Sequence, residues 1–368
     1  MNVDVIILAA GQGTRMRSAL PKVLHPIAGK SMLSHVISTA RQLPNAQINI
    51  VVGHGADKVK ALDSGSDIQF SLQEEQLGTG HAVQQAVPDL RDDSTSIILY
   101  GDVPLIQAST LQKLLEQTAD GSMGLLTAIF DNPMGYGRII RNDSGDVIAN
   151  VEQKDANAEQ LKVQEINTGF MALPTARLKE WLPKLSSDNA QGEYYLTDLI
   201  AMAADSGAGV KAVHPEHHSE VEGVNSRTQL IALERVYQGQ RAEALLADGL
   251  AIMDPARFDV RGSLTHGQDS MVDVNCVFEG KVELGSNVSI GPNCVISNST
   301  IGDGVEIKAN SVLEDAVVEN DCVVGPFARL RPGSVLKPGA KVGNFVEMKK
   351  SELGAGSKVN HLSYVGDA

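Results

Sequence analysis

Two glycines, an arginine and a lysine follow closely on the first apolar run. Val5-Ile6-Ile7-Leu8 leads into Ala9-Ala10-Gly11-Gln12-Gly13-Thr14-Arg15, and Leu20-Pro21-Lys22 comes next. Gly11 and Gly13 permit a backbone tight enough for its amides to face a phosphate chain, and Arg15 and Lys22 add fixed positive charge. A second station is Leu99-Tyr100-Gly101-Asp102-Val103-Pro104, an apolar run ending on a single carboxylate. At the C-terminal edge of an α/β sheet, where such sheets bind ligands, a hard oxygen suits Mg2+, which takes one or two protein carboxylates plus substrate phosphates. A lone strand-end Asp is more often a turn residue or a helix cap. A third station lies far downstream. Arg331 and Lys349 are eighteen residues apart, and His361 follows with a side chain whose ordinary pKa lies near neutrality.

These groups need elements to hold them. Up to about residue 225, short β-branched runs (5–8, 48–52, 97–100, 125–128) alternate with amphipathic stretches such as 31–42 and 108–117, the signature of an α/β sheet. The run at 97–100 is apolar on both faces, which suits a central parallel strand covered on both sides. Residues 226–250 read as a linker helix, with Leu230, Leu233, Val236, Leu245 and Leu246 on the helical period and Gly249 as terminator. At 1.5 Å per residue it would reach roughly 30 Å. Residues 251–368 form the last segment, in which a six-residue period takes over after about 270. Val282, Val288 and Cys294, then Ile301, Ile307 and Leu313, then Val324, Leu330, Leu336, Val342 and Met348 recur in step. Such a period marks a parallel β-helix whose apolar positions point inward. Arg331 and Lys349, three hexapeptides apart, should then stack on successive coils and attract an anion.

Length and charge bound the partners. At 368 residues the chain exceeds one ordinary domain. A formal charge of -14 argues against nucleic acid or an anionic membrane surface, both of which need a basic face. No run of 18 apolar residues and no signal peptide is present, so a cytoplasmic protein is expected. The three cysteines, Cys276, Cys294 and Cys322, are widely spaced and show no metal-ligand pattern.

The run Leu8-Ala9-Ala10-Gly11-x-Gly13-Thr14-Arg15-Met16 with Pro21-Lys22 resembles the signature of the nucleotidyltransferases that activate sugar 1-phosphates. It lacks the third glycine of a dinucleotide fingerprint, which disfavours a dehydrogenase. The resemblance implies a Rossmann-like nucleotidyltransferase domain over 1–225 and assigns roles downstream. Gln73, in Gln73-Glu74-Glu75-Gln76-Leu77-Gly78-Thr79, would read the uracil edge, with Gly78 and Thr79 close to the base. Asp102 and Asn225 would hold Mg2+, although Asn225 could equally be a helix N-cap. Tyr100 and Gly101 belong to the same strand-end motif. Gly137 would offer its backbone to an acetamido group, while Glu152 and Asn167 would bind sugar hydroxyls. The stretch 189–198 would serve as wall and packing.

The hexapeptide segment is similar to the left-handed β-helix acyltransferases. Taken with Arg329-Leu330-Arg331-Pro332-Gly333, Gly343-Asn344-Phe345-Val346-Glu347-Met348-Lys349 and Asn360-His361-Leu362-Ser363-Tyr364, the whole chain resembles a bifunctional family joining N-acetylglucosamine-1-phosphate uridyltransferase to glucosamine-1-phosphate acetyltransferase. That resemblance implies UTP, N-acetylglucosamine 1-phosphate, UDP-N-acetylglucosamine and glucosamine 1-phosphate as ligands, and a homotrimer. Arg331 and Lys349 would bind the phosphate of glucosamine 1-phosphate, His361 would take the amine proton and Tyr364 would touch the substrate. The family's acetyl-coenzyme A contacts lie on later coils that these 368 residues do not contain, so a C-terminally truncated form with little or no acetyl transfer is expected. Two other readings stay open: a nucleotidyltransferase for another sugar or base, and a non-catalytic assembly subunit.

Overall fold

Strands that are apolar on both faces need cover on both sides, and that requirement shapes the first unit. In a computed structural model describing residues 1–62 and 65–367, Val5 and Ile7 of the strand Asn2–Ala9 enter one buried cluster and Ile6 enters another. Ile97 and Leu99 part from Ile98 in the same way along Ser94–Tyr100, as the two-residue period of a strand demands. The helix Met32–Ala40 seals the first cluster with Leu33, Val36, Ile37 and Ala40. Thr79–Ala86 seals the other with Ala82, Val83 and Ala86.

Across the sheet the main strand order is Val210–Val213, Met123–Ile129, Glu165–Pro174, Ser94–Tyr100, Asn2–Ala9, Ala46–Val52 and Ile68–Leu72. The expected parallel arrangement holds from Ser94–Tyr100 to Ile68–Leu72. Glu165–Pro174 departs from it, running antiparallel to both its neighbours. Its register slips between Asn167 and Met171, and a hairpin of Arg138–Arg141 and Val147–Val151 extends the sheet there. The pairing of Leu8 with Tyr100 has a direct result. The glycine loop and Asp102 leave the sheet side by side, and the Gly101 N–H donates to the Leu8 carbonyl at 3.0 Å.

This unit comprises Met1–His25 and Ser31–Leu230, and the second comprises Pro26–Lys30 and Ile231 onward. The division therefore falls within the helix Arg227–Ala247, and no feature of the sequence marks residues 26–30 as part of the second unit. The helix buries Leu230, Leu233, Ala242 and Leu245, whereas Val236 and Leu246 are exposed. Gln238 takes the place in that face expected of an apolar residue. It is buried, donating to the Val260 carbonyl at 3.0 Å and accepting from the Val260 N–H at 2.9 Å. Gly249 ends the helix at φ +107°, with the Leu250 N–H returning to the Leu245 carbonyl at 3.0 Å, a closure that a left-handed glycine favours.

The second unit is a parallel β-helix. Short strands pair in register every 17 or 18 residues, as Ser289↔Glu306 and Glu306↔Val323 do on one face. On the other faces Val295 pairs with Val312 and Thr300 with Val317. Cys276–Leu284 runs through a corner and pairs with strands on two faces. All eleven positions of the hexapeptide period are at most 1% exposed. Several corners require left-handed backbone, adopted by Asn275, Asn293 and Asn310, a residue type that tolerates it. Their amides form a ladder, Asn275 to Asn293 at 2.9 Å and Asn293 to Asn310 at 3.3 Å. Stability in such a solenoid is carried coil by coil. Leu330 is fully buried between Leu313 and Met348 on neighbouring coils. Leu330→Ala is expected to destabilise the protein by about 2–5 kcal/mol, read as a lowered midpoint in denaturant unfolding.

Candidate active site

A cavity of about 310 Å3 opens at the C-terminal ends of Asn2–Ala9 and Ser94–Tyr100. Leu8, Ala9, Ala10, Gly11, Lys22, Gln73, Gly78, Thr79, Tyr100 and Asp102 line it, together with Val23, Gln76, Ala82 and Glu193. The two loop glycines do different things. A Cβ on Gly11 would meet nothing within 4 Å, so packing of the protein itself does not demand a glycine there. Gly13 has φ +62°, and a Cβ there would lie 2.6 Å from the Cβ of Lys22. Gly13 is therefore needed to seat the lysine.

Lys22 is the electrostatic centre of the cavity. Its ammonium pairs with Asp102 Oδ2 and donates to Asn225 Oδ1 at 3.1 Å. Asn225 is brought there by a backbone bond from the Val224 N–H to the Asp102 carbonyl, 2.9 Å. It does not cap the following helix. Ser226 does so, its hydroxyl accepting from the Gln229 N–H at 3.3 Å, while Gln229 Oε1 accepts from the Asn225 N–H at 2.9 Å. This reciprocal cap leaves the Asn225 carboxamide oxygen for Lys22. Among the described residues no group of three or more His, Cys, Asp or Glu could hold a metal ion. A carboxylate and a carboxamide oxygen that together accept an ammonium form a hard-oxygen pair, a donor set that suits a divalent cation completing its shell with phosphates and water. Arg15 lies apart from this group. It is exposed on the Thr14–Met16 turn, lines neither this cavity nor the neighbouring one, and pairs with no described residue.

That neighbouring cavity, of about 260 Å3, shares Thr79, Tyr100 and Glu193 with the first and adds Gly137, Glu152 and Asn167. Glu152 accepts from Asn150 Nδ2 at 2.8 Å and from the Thr197 hydroxyl at 3.3 Å. Asn167 sits where the register of Glu165–Pro174 slips. Its Oδ1 accepts from the Gly169 N–H at 2.9 Å, and the residue lines the cavity. Gly169, at φ +87°, has no room for a Cβ, which would lie 2.6 Å from the Tyr100 ring. The Gly137 carbonyl accepts from the Asn167 N–H at 3.0 Å, tying the two sugar-side positions together. Burial, then the charges of Asp102 and Glu152, push the Tyr100 phenol well above its ordinary pKa, so it remains a hydrogen-bond donor. Burial, with Glu152 and Asp155 nearby, also raises Asp198.

Sequence reading missed part of this lining. Gln191, Glu193, Tyr195 and Thr197 line the second cavity from within 189–198, the stretch expected as its wall, while Tyr136, Thr168 and Gly169, neighbours of Gly137 and Asn167 in the sugar-side motifs, line it without a role of their own having been assigned. The signal for Gly78 was read too narrowly. Its φ is +111°, and a Cβ would strike the Tyr194 backbone at 2.7 and 2.9 Å, so this glycine serves loop packing as well as the cavity.

In the second unit Arg331 and Lys349 lie on consecutive coils, in the register of Arg329↔Glu347 and Leu330↔Met348. Each also has an acid partner. Arg331 pairs with Glu347 at 2.9 Å and Lys349 approaches Asp367 at 3.8 Å. His361 lies in register with Asn344, and Tyr364 with Glu347. Both are exposed. Sequence spacing foretold the stacking of the cations, whereas their carboxylate partners depend on which side chains the coils bring together.

The MobA-like NTP transferase domain matches residues 5–166, and the GMPPB C-terminal domain matches residues 260–361. Among solved structures, a UDP-glucose pyrophosphorylase complexed with UDP-glucose aligns with 66% of this chain and 100% of its own at a TM-score of 0.54 and 17% identity. A putative glucose-1-phosphate thymidylyltransferase from Bacillus anthracis aligns at 0.51 and 19%, over 64% of this chain and 94% of its own. Both likenesses concern the fold alone. Among curated proteins, the bifunctional protein GlmU of Marinobacter nauticus is 59% identical over 100% of this chain and 81% of its own length. Those of Pseudomonas putida and Burkholderia thailandensis are 56% and 55% identical with the same coverage. Matches of this extent lend no support to the expectation of a truncated form. With such identity along its whole length, the chain belongs to the GlmU family of bifunctional proteins.

Proposed function

We propose that the chain transfers a uridylyl group from UTP to N-acetylglucosamine 1-phosphate, giving UDP-N-acetylglucosamine and pyrophosphate. The observation that carries this reading is the junction of the two cavities. Thr79 and Tyr100 line both, with Lys22 and Asp102 in one and Glu152 and Asn167 in the other. A phosphate-facing glycine loop beside a pocket of hydroxyl-binding groups suits the joining of a nucleotide to a sugar. The sugar-phosphate oxygen attacks the α-phosphorus of UTP; one P–O bond forms and the bond to pyrophosphate breaks.

Positioning and charge neutralisation can account for such a transfer without a covalent intermediate. We assign the backbone of Leu8–Gly11 to the nucleotide, Gln73 with Gly78 and Thr79 to its base, and Lys22 to the phosphates. Asp102 and Asn225 would hold Mg2+, which would supply charge neutralisation to the phosphates. Gly137, Glu152 and Asn167 receive the acetamido sugar, and Tyr100 and Gly101 form the floor between the two ligands. Removing a transition-state charge partner of this kind typically costs two to three orders of magnitude. Asp102→Ala is expected to cut pyrophosphate release from UTP and N-acetylglucosamine 1-phosphate by about 10^2-fold or more. The same assay without Mg2+ should fall to background. Release that ignores the sugar phosphate or the metal would overturn the assignment. Asn167→Ala should act differently, raising the KM for the sugar phosphate by about tenfold through the loss of one buried hydrogen bond, with the KM for UTP little changed.

For the second unit we assign glucosamine 1-phosphate to Arg331 and Lys349, proton removal to His361, a substrate contact to Tyr364, and acetyl-coenzyme A as the acyl donor. The register that stacks the two cations supports this assignment. A homotrimer is our reading of the assembly. Its support is a ladder of exposed Phe327, Phe345 and Leu362 on successive corners, the two rings stacked at 5.2 Å. Among the described residues no helix is long and apolar enough to cross a membrane, and the free thiols Cys276, Cys294 and Cys322 fit a reducing, cytoplasmic setting. Arg331→Ala should weaken glucosamine 1-phosphate binding by about tenfold or more in titration calorimetry. Unchanged binding would remove the phosphate from this position.

A further inference from the structure

The nucleotide cavity contains one side chain whose hydrogen bonds are almost fully spent before any ligand arrives. Gln73 is 4% exposed and lies at the end of Ile68–Leu72, where its own N–H is held by the Val52 carbonyl at 2.8 Å. Its Nε2 lies 3.2 Å from the Gly78 carbonyl and 3.2 Å from His81 Nδ1. A backbone carbonyl can only accept, so the NH2 end of the amide must face Gly78. The second amide hydrogen then points at His81, whose Nδ1 must accept it. Gln73 Oε1 has no partner among the described residues, and Gln73 lines the cavity. His81 does not line it; it stands behind Gln73 in the first turn of Thr79–Ala86.

We propose that His81 is a specificity-positioning residue: by accepting from Gln73 Nε2 it locks the amide so that the base meets only an acceptor oxygen. This rests on the uridylyl-transfer reading and deepens it. Uracil offers a donor N3–H to such an oxygen, whereas cytosine offers an unprotonated N3 at the same place, and acceptor faces acceptor. Without His81 the amide loses one of its two anchors. It can then rotate to present NH2, the geometry cytosine would accept. Histidine thus acts through glutamine and touches neither the base nor the reacting phosphates.

The experiment compares UTP and CTP at saturating N-acetylglucosamine 1-phosphate, following pyrophosphate release by wild type, His81→Ala, His81→Asn and His81→Gln. Asn can place an acceptor oxygen near the position of Nδ1, while Gln reaches toward that of Nε2. Wild type is expected to favour UTP. His81→Ala and His81→Gln should lose about tenfold of the UTP-over-CTP ratio in kcat/KM, chiefly through KM for UTP, and His81→Asn should restore most of it. A ratio unchanged in His81→Ala, or lost equally in His81→Asn and His81→Gln, would overturn the positioning role. Should His81→Ala fail to fold, the contrast between Asn and Gln still decides the matter. Failure of the underlying reading looks different: wild type itself would release no pyrophosphate from UTP, or would take both nucleotides equally.

Discussion

One ammonium holds three distant segments together. Lys22 Nζ meets the Asp102 carboxylate and the Asn225 carboxamide, joining the glycine loop, the end of the Ser94–Tyr100 strand and the segment before the long helix. Lys22 and Asp102 retain side-chain exposures of 14% and 17%. Pairing offsets the desolvation that a lone charge would suffer in such a place. The lysine also brings positive charge into the cavity lining, and the two oxygens it touches are those assigned to a cation.

Several features would have little reason to exist without that contact. Gly13 must lack a side chain for Lys22 to pass. Leu8 must pair with Tyr100, since a slip of one residue along either strand would carry Asp102 away from the loop. Asn225 must be released from capping duty, which Ser226 and Gln229 take over. The sugar side has its own version of this dependence. Asn167 lines the cavity where the strand register slips, and Gly169, without a Cβ, leaves room for the Tyr100 ring that lines both ligand spaces.

The β-helix meets a different constraint. Its coils repeat every 17 or 18 residues, so any side chain meets its counterparts above and below. Where the repeat is Asn the corners tie together through an amide ladder. Where it is Phe327 and Phe345 they place aromatic rings, half exposed and stacked, on the outside. Cations at Arg331 and Lys349 follow the same rule, as do the acids that pair with them.

Local pattern alone made much of this legible. The hexapeptide period identified eleven interior positions because one face of each coil must be apolar, whatever the neighbouring coils contribute. Gly249 as a helix terminator and the strand runs at 5–8 and 97–100 were equally local. Ten residues of the nucleotide cavity were named from motifs, since a loop between a strand and a helix carries its chemistry in consecutive residues. What sequence spacing did not determine was any outcome set by distant neighbours. The antiparallel entry of Glu165–Pro174 depends on strand pairing. The inward turn of Gln238 depends on the backbone of Val260, and the exposure of Val236 and Leu246 depends on which face of the helix finds a partner. Arg15 stands outside both cavities, on a turn whose buried residue is its neighbour Met16. Most plainly, His81 behind Gln73 gains its meaning from two hydrogen bonds at one nitrogen, a relation between side chains that only the folded chain brings within 3.2 Å.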